Sequence, residues 1–256
     1  MAIHPAAAVA AGAVIDPSAE IGPFAVIGPG ADIGPRTKIG AHAVVECATL
    51  GADNVLHPGC YVGTPPQDLK YAGEKTRLVM GDKNTVRECV TINRGTAQGG
   101  GLTKIGSGCL FMACSHVAHD CVVGDGVIVV NAVLLAGHVH IGDHAVLGGF
   151  TLVHQYCRLG AHCMTAVNTV IFKDVPPFLI CSGYSAEPHG INVRGLKRRN
   201  FSDDAIESLR RAYKILYRSG HTLDEALKQL DAQARAGSEV AELVAFIKGS
   251  ERGIIR

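Results

Sequence analysis

Aliphatic residues return along this chain every six positions, usually followed by a glycine or a small or acidic residue. The register opens with Ile3, Val9, Ile15, Ile21, Ile27, Ile33, Ile39 and Val45, then slips by one residue to Leu50, Leu56 and Val62. A third block holds Met80, Val86 and Ile92. The longest block runs through Ile105, Phe111, Val117, Val123, Val129, Leu135, Ile141, Leu147, Val153 and Leu159, with Thr165 and Ile171 as weaker members. A period of six matches neither a 3.6-residue helix nor the alternation of one amphipathic strand. It suits short strands joined by tight turns, and three such units close a triangular coil of 18 residues with the aliphatic side chain inside. Stacked coils then become parallel strands about 4.8 Å apart, which makes the fold mainly β, a parallel β-helix. The glycine beside each aliphatic residue is expected to take the turn geometry that bulkier residues resist.

Two stretches leave the period and are expected to leave the helix as loops, 64–78 and 94–104, the second containing Gly99-Gly100-Gly101. Such departures from a repeat usually gather on a functional face. The pattern ends at Asp174-Val175-Pro176-Pro177, where paired prolines are expected to stop further ladder pairing. The chain therefore divides into a β-helix over 1–177 and, over 178–256, a connecting segment with a C-terminal α-helical domain. There Ser202 is placed to cap a helix with Asp203 and Asp204 in its first turn and Ile206, Leu209, Tyr213 and Leu216 as its apolar stripe, ending at Gly220. Thr222 with Glu225 reads as a capping box for a second helix, and a third is expected near Glu239 to Lys248.

Composition changes this picture only in detail. With 47% hydrophobic and 18% charged residues the 256-residue chain can bury a sizeable core, and having 31 glycines, no tryptophan and 5% aromatics it must fill that core with small and β-branched side chains. A net charge of +1 gives no general reason to expect a nucleic-acid partner. No apolar run approaches the ~20 residues needed to span a bilayer, so membrane insertion is not expected. Met1 to Ala13 lacks a basic leader and already keeps the repeat, which points to a reducing, cytoplasmic setting. Of the nine cysteines, Cys60, Cys109, Cys121, Cys157 and Cys163 share one repeat position and are expected to be small core residues, not disulfide partners.

Twelve histidines are many for this length. Val117, Leu135 and Val153 fall on the same face of three successive coils, so His119, His138 and His154, one to three residues beyond them, are expected to stack near one corner, flanked by His116 and Asp120. A histidine cluster can hold zinc, as in a carbonic-anhydrase-like hexapeptide protein. It can equally supply a general base, since imidazole titrates near neutrality. A non-catalytic β-helical scaffold, binding partners through its flat faces, would need no such cluster.

The local sequence separates these readings. His116-Val117-Ala118-His119-Asp120-Cys121, Asn93-Arg94-Gly95-Thr96, Gln98-Gly99-Gly100-Gly101-Leu102-Thr103-Lys104, Gln67-Asp68-Leu69-Lys70-Tyr71-Ala72-Gly73-Glu74, His154-Gln155 and Gly195-Leu196-Lys197-Arg198-Arg199 together resemble the cytoplasmic UDP-N-acetylglucosamine 3-O-acyltransferases that begin lipid A synthesis. The resemblance runs from the first repeats to Arg256. It implies a left-handed winding, against the usual right-handed crossover rule, and a homotrimer with its active sites between subunits. It also implies transfer of a 3-hydroxyacyl group from acyl carrier protein to UDP-N-acetylglucosamine, with no metal and no organic cofactor.

Carried over by position, the resemblance makes His119 the base, Asp120 the group that orients it, and Gly137 the donor of a backbone N–H to the oxyanion. Asp68 and Lys70 would hold the sugar and acyl groups, His116, His138, His154 and Gln155 would line the cleft, and Asn192, Arg198 and Arg199 would face the nucleotide. Val167 falls where relatives limit acyl length, and Arg199, Arg210, Arg211 and Lys214 form a basic surface for the acidic carrier protein. The sequence departs from the family at Asn93, where histidine is common, and at Arg194, where an acidic residue is common. The related N-acyltransferase of the same pathway is the nearest rival, and it usually carries an additional N-terminal domain.

Overall fold

The computed structural model describes residues 2–256; Met1, at the start of the expected leader-free segment and first domain, lies outside the described residues. The chain is a left-handed parallel β-helix. Its strands, most of them two residues long, assemble into sheets of 11, 9 and 8 strands, one for each side of the triangle. Coil follows coil in register: His116-Val117 pairs with Thr91-Ile92 on one side and Leu134-Leu135 on the other. Because the second residue of each strand points inward, Ile92, Val117, Leu135, Val153 and Ile171 form one buried column within a continuous core. Cys60, Cys109, Cys121, Cys157 and Cys163 are buried in that core as free thiols. Where the coils lose register near Leu50, the small apolar corner residue is replaced by asparagine. Asn54 donates to the carbonyls of Gly51 and Gly81, and Asn84 to those of Gly81 and Gly106, so the buried amides are satisfied by the turns they close.

The corners correct one expectation. Positive φ falls not on the glycine beside the aliphatic residue but two positions later, and mostly on other residues: 57° at His42, 59° at Asp120, 61° at His138 and 64° at Tyr156. A left-handed conformation costs a non-glycine residue about 1–2 kcal/mol, and the ladders on both sides of each corner hold it there. The glycines serve a different need. A Cβ at Gly40 would lie 2.8 Å from the Pro58 nitrogen and one at Gly28 would lie 2.7 Å from Glu46 Cβ, so the next coil passes too close for any side chain.

The two extruded segments are shorter than the broken hexads suggest. Arg77–Met80 pairs with Leu102–Ile105 along its whole length, leaving 65–76 and 94–101 outside the ladder. Leu78 and Thr103 point inward as well as Met80 and Ile105, and this local alternation of two hides the six-residue signal. The prolines also do less than expected. Val175 still bridges to Leu159, and Leu179–Ser182 pairs with Met164-Thr165 before turning back as Glu187–Ile191, an antiparallel hairpin. Pro176 and Pro177 sit at a corner, against Gly160, where no ladder donor is required.

Beyond the hairpin come four helices: α1 (Val193–Arg198), α2 (Asp203–Tyr217), α3 (Leu223–Gln233) and α4 (Glu239–Lys248). Ser202 caps α2, and Thr222 with Glu225 forms the capping box of α3. Ile206, Leu209, Ala212 and Leu216 are the buried face of α2, each large aliphatic contributing about 1.5–3 kcal/mol. Tyr213 is half-buried and its hydroxyl donates to the Pro188 carbonyl. Phe178, Leu179 and Ile191 pack with Leu196, Ile206 and Leu209, which joins the hairpin to the helices. The chain end returns to the last coil, where Asp174 bridges to Ile254 and Ile255 enters the main core. No helix among the described residues is long and apolar enough to cross a membrane.

Candidate active site

The corner that follows Val117 puts His119 at its second position and Asp120 at its third, with the positive φ that turns the chain. One coil later the same two positions hold Gly137 and His138, and one coil later again Gln155 and Tyr156. Asp120, His138 and Tyr156 therefore form one column. The His138 ring stacks on Tyr156 with centroids 4.5 Å apart and meets the His119 ring edge-on at 5.2 Å.

The Asp120 side chain is 1% exposed and fully engaged. Thr96 donates to it twice, from its backbone N–H at 2.8 Å to Oδ1 and from its hydroxyl at 2.6 Å to Oδ2. His119 Nδ1 lies 2.8 Å from Oδ2, the bond that a neutral Nδ1–H tautomer makes, which leaves Nε2 as the free lone pair. The loop closes over the carboxylate because it carries glycine there; a Cβ at Gly99 or Gly95 would strike Asp120. Gly137 answers a related need. A Cβ on it would lie 2.6 Å from His119 Cε1 and 2.8 Å from Nε2, so the imidazole occupies the space that the missing side chain leaves. Its backbone N–H donates to no protein acceptor among the described residues.

Asp68 lies close enough that its charge favours the protonated form of His138, and its loop is anchored by Arg94, which donates to the Tyr71 hydroxyl, the Gly63 carbonyl and Glu46. The side chain of Lys70 is exposed beside it. His116 accepts or donates at 2.6 Å with the Thr91 hydroxyl on the adjoining strand. The expected stack of three histidines is only partly formed. His154, one residue past Val153, is directed onto the sheet face, where it takes a hydrogen bond from Arg252 at 2.8 Å and lies against Phe172. Together with His116 it borders an apolar groove of Leu134, Leu152, Phe172 and Tyr184. Gln155 is exposed on the His119 corner.

The remaining positions stand at other corners. Asn192 caps α1 by accepting from Gly195, and donates to the His162 carbonyl, which belongs to the corner after Leu159. Arg198 and Arg199 end that short helix, exposed, with Arg194 exposed on the same helix. Val167 is 68% exposed on the corner after Thr165, so it is not a core residue. Asn93 is buried and donates to the Thr64 hydroxyl, at the base of the first loop. The sequence reading gave no role to Thr96, to Thr103, which accepts the Asp120 N–H at 2.8 Å, or to Tyr156. An 18-residue offset from His138 identifies Tyr156; nothing local singles out Thr96.

The ligand atoms of His119, Asp120 and His138 lie within 4.8 Å of one another, close enough to consider a shared cation. The donor set argues for a hydrogen-bonded relay instead: both carboxylate oxygens already accept from Thr96, and the His119 nitrogen nearest to them serves that bond.

Burial lowers the pKa of His138, against the raising effect of Asp120, and does the same at His116, His140 and His162. Each therefore binds a proton more readily when unfolded. Stability should fall as the pH drops below the ordinary histidine value of 6.5, since the unfolded chain then takes up protons that the folded one refuses. Glu242, pushed up by burial, opposes this only at lower pH. Calorimetry between pH 7.5 and 5.5 should show a declining Tm; a flat profile would mean these rings are not held neutral.

Residues 174–255 match the family described as UDP-N-acetylglucosamine O-acyltransferase, domain 2, and residues 12–47 match the bacterial transferase hexapeptide family. An acyl-[acyl-carrier-protein]–UDP-N-acetylglucosamine O-acyltransferase from Thiobacillus denitrificans is 55% identical over 195 residues, 76% of either chain. Its counterpart from Herminiimonas arsenicoxydans is 50% identical over 210 residues, 80% of either chain. Among solved structures, the UDP-N-acetylglucosamine acyltransferase of Bacteroides fragilis superposes with a TM-score of 0.96 at 41% identity, covering 99% of this chain and all of its own. The Moraxella catarrhalis O-acyltransferase gives 0.90 at 41% identity over the whole of both chains.

Proposed function

The chain belongs to the acyl-[acyl-carrier-protein]–UDP-N-acetylglucosamine O-acyltransferases, and from that premise we propose that His119 is the general base that moves a 3-hydroxyacyl group from acyl carrier protein to the sugar 3-hydroxyl, the first step of lipid A synthesis. It is an acyltransferase using an acyl carrier protein donor and UDP-N-acetylglucosamine as acceptor. The observation that carries the mechanism is the chain Thr96–Asp120–His119, which fixes the tautomer and leaves Nε2 free beside an unused Gly137 amide. Nε2 takes the sugar hydroxyl proton as the oxygen attacks the thioester carbon. The Gly137 N–H stabilises the resulting oxyanion, and collapse expels the carrier's thiolate, which receives from His119 the proton taken from the sugar. Asp68, Lys70, His138 and Gln155 surround the sugar and thioester, while the groove between His116 and His154 receives the hydrocarbon tail.

Asn192 is fastened to a different corner from His119, with Arg198 and Arg199 at the end of the helix it caps, which supports a site completed by a second subunit. A homotrimer supplies the nucleotide-facing residues from a neighbouring subunit. Mixing refolded His119→Ala subunits with Arg198→Ala/Arg199→Ala subunits should restore about a quarter of wild-type activity, the share of sites that are intact under random assortment. Failure to complement, together with a monomer by light scattering, would overturn the shared site. The exposed Arg199, Arg210, Arg211 and Lys214 offer the acidic carrier protein a complementary surface. This reading includes no metal, no nucleic acid and no membrane anchor, and it takes the cytoplasm as the site of the reaction.

Val167 limits the groove. Each buried methylene contributes about 0.8 kcal/mol, so excluding two disfavours the longer donor by roughly 1.6 kcal/mol, about fifteenfold in kcat/KM. Comparing donors that differ by two carbons, with UDP-N-acetylglucosamine and its 3-amino analogue as acceptors, tests this and the acceptor together. Val167→Gly should narrow or reverse the donor ranking; an unchanged ranking removes Val167 from the groove, and preference for the amine would mean that the acceptor carries a 3-amino group in place of the 3-hydroxyl.

A further inference from the structure

Three of the nine cysteines lie outside the core. Cys47 is half-buried, whereas Cys89 and Cys114 are exposed. Cys89 stands three residues after Val86 and Cys114 three after Phe111, the same corner position, with positive φ of 56° and 62°. Val86 and Phe111 are direct ladder partners, and the Cys114 N–H donates to the Glu88 carbonyl at 3.0 Å, so the two cysteines occupy adjacent coils of one corner. Side chains so placed meet at three other places in this molecule. The pairs Phe24 with His42, His138 with Tyr156 and His144 with His162 hold the same relation, and their rings lie 4.5–5.1 Å apart. A coil spacing of about 4.8 Å falls within the Cα separation that a disulfide accepts.

We propose that Cys89 and Cys114 form a surface dithiol that low-molecular-weight disulfides close into an intrachain bond between adjacent coils. The Cys89 or Cys114 thiolate attacks one sulfur of the small disulfide, forming a mixed disulfide and releasing one small thiolate. The neighbouring cysteine loses its proton to solvent and attacks the protein-side sulfur, releasing the second. Two protein thiols are oxidised and one small disulfide is reduced to two thiols. The bond would close a ring that contains the strand Thr91–Asn93 and the loop bearing Thr96. The six core thiols do not compete: burial pushes Cys60 and Cys121 up to about 12 and Cys109 and Cys157 up to about 11, and it raises Cys163 and Cys181 as well.

The reduced, assembled enzyme is incubated with excess oxidised glutathione, freed of reagent, and denatured in alkylating buffer. The titratable thiols should fall by two per chain, a tryptic map should yield the Cys89–Cys114 link, and the Tm should rise by about 5–10 °C. C89S and C114S should each retain transfer activity but hold one glutathione on the remaining cysteine. The proposal fails if wild type carries glutathione separately on both cysteines, if the thiol count is unchanged, or if the bond joins two chains on a non-reducing gel.

Discussion

His119→Ala is expected to lower kcat by about 10²–10⁴-fold, roughly 3–5 kcal/mol of transition-state stabilisation, while leaving the assembled protein folded. The loss falls on kcat because the imidazole nitrogen facing substrate is used only when the proton moves. Folding should survive because the ring sits on a corner, outside the aliphatic column, and truncating it leaves Asp120 with both Thr96 donors. Steady-state kinetics with circular dichroism and light scattering separates the two effects. Near-normal kcat in a folded variant would remove His119 from the mechanism. The unmodified enzyme treated with a metal chelator should keep its activity; loss restored by zinc would turn the His119, Asp120 and His138 cluster into a metal site.

Gly137→Ala should cost nearly as much, although it adds one methyl group to a residue whose backbone is not in the left-handed region. That methyl would press on His119 at Cε1 and Nε2, 2.6 and 2.8 Å away, and the ring cannot retreat without breaking its 2.8 Å bond to Asp120 or pushing on His138. A displacement of about 1 Å in a positioned catalytic group can cost on the order of 10²-fold. Combining it with His119→Ala gives the sharper test. If Gly137→Ala acts by moving the ring, the double variant should be little slower than His119→Ala alone. Full additivity would show that residue 137 acts through something other than His119.

The β-helix was legible because its inward positions repeat at a fixed interval over ten hexads from Ile105 to Leu159, and burial leaves little choice of residue there. The helices were legible from their caps, since Ser202 and Thr222 close turns by local hydrogen bonds that local sequence can announce. What escaped were features set by the neighbouring coil. Pro176-Pro177 reads as a terminator until one knows that it lands on a corner under Gly160. Thr96 reads as loop until the loop is folded back over Asp120. The same limit applies to the site. The position of His119 and His138 follows from arithmetic along the chain, but His154 lies one residue earlier on its corner, and that difference swings the ring onto the sheet face toward Arg252.

The coil-on-coil ladder has a consequence for how damage spreads. In the backbone ladder each coil pairs only with those directly before and after it, so the cooperativity of the β-helix approaches that of a one-dimensional stack of neighbours. Amide exchange should accordingly differ from coil to coil instead of following a single global opening. Destabilised early coils, such as the adjacent two that carry Val26 and Val44, can open without disturbing the rungs around His116, Leu134 and Leu152. Mutational tolerance should therefore be graded along the axis, and tightest where loop 94–101 ties its coil to Asp120 on the next, because there one local opening would unfasten two turns and the imidazole together.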